Sequence, residues 1–101
     1  MDNKLLTRND GRTTPRLKAP EDYRVILLND DFTTMDFVVE VLMGVFRKTE
    51  NEANGIMMDV HKKGRGVVGR YPWDIASTKA EQVHAAARER DFPLRCVLEP
   101  V

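Results

Sequence analysis

A chain of 101 residues has room for one small domain with one core and too little for two. With 42% hydrophobic residues it reads as globular, and sixteen basic against sixteen acidic side chains leave no overall field to draw in nucleic acid. Its one cysteine, Cys96, excludes an intrachain disulfide and suits a reducing compartment, and no apolar run nears the roughly 18 residues of a membrane helix.

Residues 1–20 are polar, basic and broken by Gly11, Pro15 and Pro20, a composition that predicts a flexible extension ahead of a core domain spanning 21–101. Residues 1–19 hold five basic side chains against two acidic, so the remainder carries eleven against fourteen. Leu5-Leu6 is flanked by polar residues and makes no signal-peptide core, so a cytoplasmic, soluble protein is the expectation.

Tyr23 to Leu28 contains the apolar run Val25-Ile26-Leu27-Leu28 and predicts a strand covered on one side and bordered on the other. Helix one is expected from Thr33 as N-cap, with Asp36 three residues on, to about Phe46. Thr49-Glu50-Asn51-Glu52 has the form of a capping box and starts helix two, with Ala53, Ile56, Met57 and Val60 on one face and Gly64 as its stop. Gly66 to Arg70 reads as a short second strand. Pro72 and Asp74 open helix three, whose expected buried stripe is Ile75, Ala76, Val83, Ala86 and Ala87. Asp91-Phe92-Pro93 breaks it, and Leu94 to Glu99 alternates as strand three with Leu94, Cys96 and Leu98 inward. The order β-α-α-β-α-β predicts an α+β domain, a three-stranded antiparallel sheet packed with three helices.

Chemistry needs polar groups held in place, and the junction Asn29-Asp30-Asp31-Phe32-Thr33, between strand one and helix one, supplies them. Nucleophilic catalysis finds little here: Cys96 alternates with two leucines as a core thiol does, and Ser77 lies mid-helix without a base. Asp30-Asp31 falls short of a magnesium site, because the chain lacks the further strands and the later aspartate and lysine of phosphoacceptor domains. The basic run His61-Lys62-Lys63-Gly64-Arg65 has no interleaved aromatics and reads as a solvated helix end. His61 follows Met57 by one helical turn, at the edge of the helix-two stripe. An imidazole nitrogen, an amide oxygen and a carboxylate all accept hydrogen bonds and together suit a cation with several N–H donors, such as an α-ammonium group.

The run from Tyr23 to Val38, Tyr-Arg-Val-Ile-Leu-Leu-Asn-Asp-Asp-Phe-Thr-Thr-Met-Asp-Phe-Val, resembles the signature of ClpS, the N-degron adaptor family of bacterial Clp proteases. Met57-Met58-Asp59-Val60-His61, Ile75 to Ala80 and Phe92-Pro93-Leu94 match in order and spacing, so the resemblance covers about Pro20 to Pro100. It implies a non-enzymatic adaptor, which binds proteins beginning with Leu, Phe, Tyr or Trp; a monomer without metal or cofactor is the expectation. The adaptor would deliver them to a Clp AAA+ ATPase, ClpA-like or ClpC-like, and would bind neither nucleic acid nor membrane. Carried over, Asn29, Asp31 and His61 hold the substrate α-amino group and Asp30 lends charge nearby. Leu28, Thr33, Thr34, Met35, Val38, Met57, Val60 and Leu94 line the side-chain pocket, Met35 excluding β-branched first residues. Asp74 and Lys79 dock on the ATPase, and the basic extension enters its pore.

Thr34 stands where many members have proline, Asp36 and Asp74 stand for glutamates, and Arg95 occupies a place where an apolar residue is frequent. These departures bear on the ranking among Leu, Phe, Tyr and Trp, not on the adaptor role. The competing reading is a general protein-interaction module of the ribosomal-stalk C-terminal type, with a similar layered fold and no amine pocket.

Overall fold

The computed structural model describes residues 22–101, so the extension expected over residues 1–20 lies outside the described residues. The elements follow the expected order: β1 (Tyr23–Leu28), α1 (Met35–Gly44), α2 (Glu50–Lys63), β2 (Arg65–Tyr71), α3 (Trp73–Glu89) and β3 (Arg95–Pro100). The sheet is antiparallel with order β2-β1-β3, so β1 is bordered on both edges. Its apolar run is buried throughout: Val25, Ile26 and Leu27 are each 0% exposed. Val25 and Leu27 face a core shared with Phe37, Val41 and Leu42 of α1, Ala53 and Val60 of α2, and Ala76, Val83 and Ala87 of α3. Arg24, Ile26 and Leu28 alternate to the other face, which carries no helix among the described residues.

Helix starts and stops follow local hydrogen-bonding chemistry. The Thr49–Glu52 capping box is complete: Glu52 N donates to the Thr49 hydroxyl at 3.2 Å and Thr49 N to the Glu52 carboxylate at 2.9 Å. Gly64 ends α2 in the left-handed region at φ 88°, which favours glycine. The start of α1 corrects the sequence expectation, because Thr34, not Thr33, is the N-cap and accepts from Phe37 N at 3.1 Å. Thr33 is taken by Asp30, which receives both its N–H and its hydroxyl. α1 also ends earlier than expected, at Gly44: Arg47 turns left-handed at φ 57° and lets Lys48 N reach Leu42 O at 3.0 Å.

Helix α3 has its N-cap at Pro72, and its buried stripe is Ala76, Ala80, Val83 and Ala87, the proper helical spacing. Ile75 was expected in that stripe but is 44% exposed, one residue and so about 100° out of phase. Gly66 answers a packing need. A Cβ there would sit 2.7 Å from Val60 Cγ2 and 2.9 Å from Ile56 O, so α2 can lie this close to β2 only over a glycine. At the far end of α3 the Arg90 guanidinium reaches Glu40 of α1 at 2.7 Å and lies over the Phe37 ring.

Candidate functional site

Two polar junctions meet where the β1–β2 ladder ends at Leu28 and Arg65. Asn29 N, just past the end of β1, donates to Gly64 O at the end of α2 at 3.0 Å. His61 sits one turn before Gly64, so this bond holds the β1–α1 loop beside the last turn of α2.

Inside the loop, Asp30 organises the backbone. Its Oδ1 accepts from Phe32 N at 2.8 Å and Thr33 N at 2.7 Å, and its Oδ2 accepts the Thr33 hydroxyl at 2.7 Å. Burial works to raise the Asp30 pKa, but these three bonds outweigh it and hold the carboxyl below its ordinary value. Asp30 is therefore the turn's frame, with both oxygens engaged. Neighbouring Asp31 and Asn29 are exposed, with no side-chain hydrogen bond among the described residues.

Between this loop and helices α1 and α2 lies a cavity of about 420 Å³. Asn29, Asp31 and His61 stand on its wall with Asp30, while Thr33, Thr34, Met35, Val38, Met57 and Val60 complete the lining. Val38 and Val60 are core residues, 5% and 2% exposed, that also line the cavity, whereas Met35 is 46% exposed. A hollow of this size accepts one large apolar side chain with a few polar groups around its mouth.

Leu28 and Leu94, also expected in the lining, lie elsewhere. Leu28 alternates to the open sheet face and borders a separate small hollow with Pro93 and Arg95; Leu94 is 3% exposed in the core. Phe32 was missed by the sequence reading. It lines the cavity while 74% exposed, an aromatic lip held by the Asp30 turn. Only its place between two loop acids and two threonines could have flagged it.

Cys96 is buried on β3 and its thiol is pushed up to about 12 by burial, so it stays protonated and poorly nucleophilic. His84 accepts the Cys96 N–H at its Nε2 at 2.9 Å, a structural tie between α3 and β3. No group of three or more His, Cys, Asp or Glu gathers as a metal site among the described residues. No helix there is long and apolar enough to cross a membrane.

The expected docking pair also has a place. Asp74 and Lys79 line a second hollow of about 290 Å³ with Ile75, Thr78 and Gln82. The Lys79 ammonium donates to Val45 O at 2.9 Å and lies 5.8 Å from the ring centres of Phe46 and Tyr71. It thus supplies the cation that the C-terminal end of α1 lacks in its own last turn.

The family described as ATP-dependent Clp protease adaptor protein ClpS matches residues 18–97. The chain belongs to the ClpS family. It is 53% identical over 100 residues to the ATP-dependent Clp protease adapter protein ClpS of Acetivibrio thermocellus, covering 99% of each chain. Against the ClpS of Wolinella succinogenes the identity is 59% over 80 residues, 79% of this chain and 78% of that one. Among solved structures, Agrobacterium tumefaciens ClpS2 bound to L-phenylalaninamide superposes with a TM-score of 0.78 at 43% identity. The superposition covers 81% of this chain and 99% of that one. As a ClpS the chain is an adaptor of a Clp protease and not an enzyme.

Proposed function

We propose that the cavity between α1 and α2 binds the free α-amino group and the bulky apolar first residue of substrate proteins. Leu, Phe, Tyr and Trp are the residues it takes, and the chain hands its substrates to a Clp AAA+ ATPase, ClpA-like or ClpC-like. What carries the reading is the composition of that one cavity: an amide, a carboxylate and an imidazole line it together with apolar Val38, Met57 and Val60. A ClpS2 at 43% identity was solved with L-phenylalaninamide, a molecule with a free amine and a phenyl side chain.

Asn29, Asp31 and His61 take the ammonium, each as an acceptor. Asp30, with its oxygens already engaged, adds negative charge and holds Phe32 and Thr33 in place. Burying the first side chain contributes about 1.5–3 kcal/mol, and each charge-assisted bond about 1.5–3 kcal/mol. The upper ends of those ranges, less an association cost of at least about 4 kcal/mol, put the ceiling near about 8 kcal/mol, a micromolar Kd. Met35, in the cavity lining, restricts the shape of the entering side chain, so β-branched residues fit poorly. The surface of Asp74 and Lys79, with exposed Trp73 and Ile75 beside it, docks on the ATPase as a monomeric adaptor. The basic residues before 20 enter the ATPase pore.

Fluorescence anisotropy with peptides that differ only in residue one tests this. Leu- and Phe-initiated peptides bind at least tenfold more tightly than Ala-initiated or N-acetylated controls. Equal affinities would refute the amine pocket and favour a general interaction module.

A further inference from the structure

The sheet face opposite the helices has an ordered composition that the adaptor reading does not use. The strand registers arrange it in three rows running across the strands. Arg70, Arg24 and Glu99 stand opposite one another in the first row. Val67, Ile26 and Val97 form the second, and Arg65, Leu28 and Arg95 the third. A register shift between Val25 and Ile26 leaves Val68 inward and buried while Val67 and Arg70 both point out. An apolar row thus crosses all three strands between two rows rich in arginine.

The charge on this face is one-sided. Glu99 is the one acid that the three strands contribute, against four arginines, although residues 20–101 as a whole carry eleven basic and fourteen acidic side chains. A merely solvated face would mix its signs, yet Arg24 lies directly opposite Arg70, where like charges destabilise a sheet. Glu99 bridges Arg24 at 3.5 Å and Arg65 at 3.1 Å. The second bridge runs diagonally from the third row to the first, past the register position of Ile26, which is fully buried although no helix lies on this face among the described residues. Exposed bridges of this kind open at little expense. Val67 remains 46% exposed, and Arg70 and Arg95 have no ion pair among the described residues.

The geometry points to this face as a docking site for an amphipathic helix of a partner protein whose apolar stripe is bordered on both sides by Asp or Glu. Rows two residues apart along a strand are about 6.6 Å apart, so the arginine rows are about 13 Å apart. A helix with its side chains is about 10–12 Å across, so one lying along the apolar row places its border carboxylates against both. Arginine forks pair with carboxylates in two-bond geometry. Aromatic side chains, the stacking platforms of single-strand nucleic-acid sites, are missing from all three rows. The chain's own residues 1–19 are excluded as occupant by sign, holding five basic side chains against two acidic.

The test is binding of an N-acetylated, fluorescein-labelled helical peptide of about 18 residues, with a leucine stripe bordered by glutamates, to the full chain. The acid-bordered peptide binds, weakens with added salt, and binds about tenfold more weakly to Arg70→Glu/Arg95→Glu. Circular dichroism and thermal melting confirm the variant's fold, and Arg95→Gln gives a smaller loss in the same direction. Because Arg70→Glu removes a like-charge pair, its melting temperature rises while binding falls, a combination that a structural role would not give. The proposal is overturned if the peptide fails to bind, if a lysine-bordered version binds as tightly, or if the double variant binds unchanged. Tighter binding of an oligothymidylate or of phosphatidylserine vesicles than of the peptide also overturns it.

Discussion

On the proposed reading the two adjacent acids of the β1–α1 loop do different work, and substitution separates them. Asp30→Ala removes three hydrogen bonds at 2.7–2.8 Å from a half-buried turn. Each bond to a charged acceptor is worth about 1.5–3 kcal/mol when sheltered. The loop is open to water, which replaces part of what is lost, so a destabilisation of about 2 kcal/mol is expected. Asp30→Asn keeps an oxygen where both backbone N–H groups converge, reverses the Thr33 hydroxyl bond so that the amide NH2 donates, and loses the charge, so it lies within about 1 kcal/mol of wild type. Asp31→Ala leaves stability within about 0.5 kcal/mol, because its side chain is exposed and unbonded among the described residues, but weakens a Leu-initiated peptide about tenfold or more. Urea unfolding and anisotropy on the same samples give both quantities. The Asp30 carboxyl titrates below its ordinary 3.8, so its contribution is present above that pH and is lost as pH falls through the lower folded value. Asp30→Asn therefore flattens that acid limb. If Asp30→Ala melts like wild type, or Asp31→Ala unfolds early while binding normally, the division of labour is wrong.

Further expectations follow from the same geometry. His61→Ala weakens Leu-initiated peptides about tenfold in anisotropy without moving the melting temperature, since His61 is exposed. Gly66→Ala places a Cβ 2.7 Å from Val60 Cγ2 and 2.9 Å from Ile56 O, forcing α2 off β2; a loss of about 1–3 kcal/mol in urea unfolding is expected. Burial, helped by Arg88 and Arg95 and opposed by Glu81, lowers the His84 pKa from 6.5. The unfolded chain then takes up a proton first, so this contribution is complete above about pH 6.5 and declines as pH falls toward the folded value; His84→Gln removes that slope from stability-versus-pH curves.

Much of the fold could be read from short-range chemistry. The Thr49–Glu52 box and Gly64 bound α2 because their hydrogen bonds are local, and the apolar run of β1 marks a strand because alternate residues, Val25 and Leu27, reach the core beneath the helices. The start of α1 was read one residue early, since Thr33 and Thr34 are equally good caps until Asp30 claims the first. Ile75 was placed in the core because a composition of apolar residues near a helix start does not fix its phase. Asn29, Asp31 and His61 do line one cavity, but Leu28 and Leu94 do not: Leu28 alternates away from the helices, and Leu94, inward as its alternation predicts, is spent on the core. The three rows of the open face were hidden because each strand shows only alternation, and the register aligns the arginines.

The bond from Asn29 N to Gly64 O has a kinetic consequence. It ties the β1–α1 loop to the end of α2, so on the proposed reading the receptor is shaped before its guest arrives and little rearrangement follows contact. Arrival rates are then expected to vary little from one polypeptide start to another, with preference among them expressed chiefly in how long each one stays.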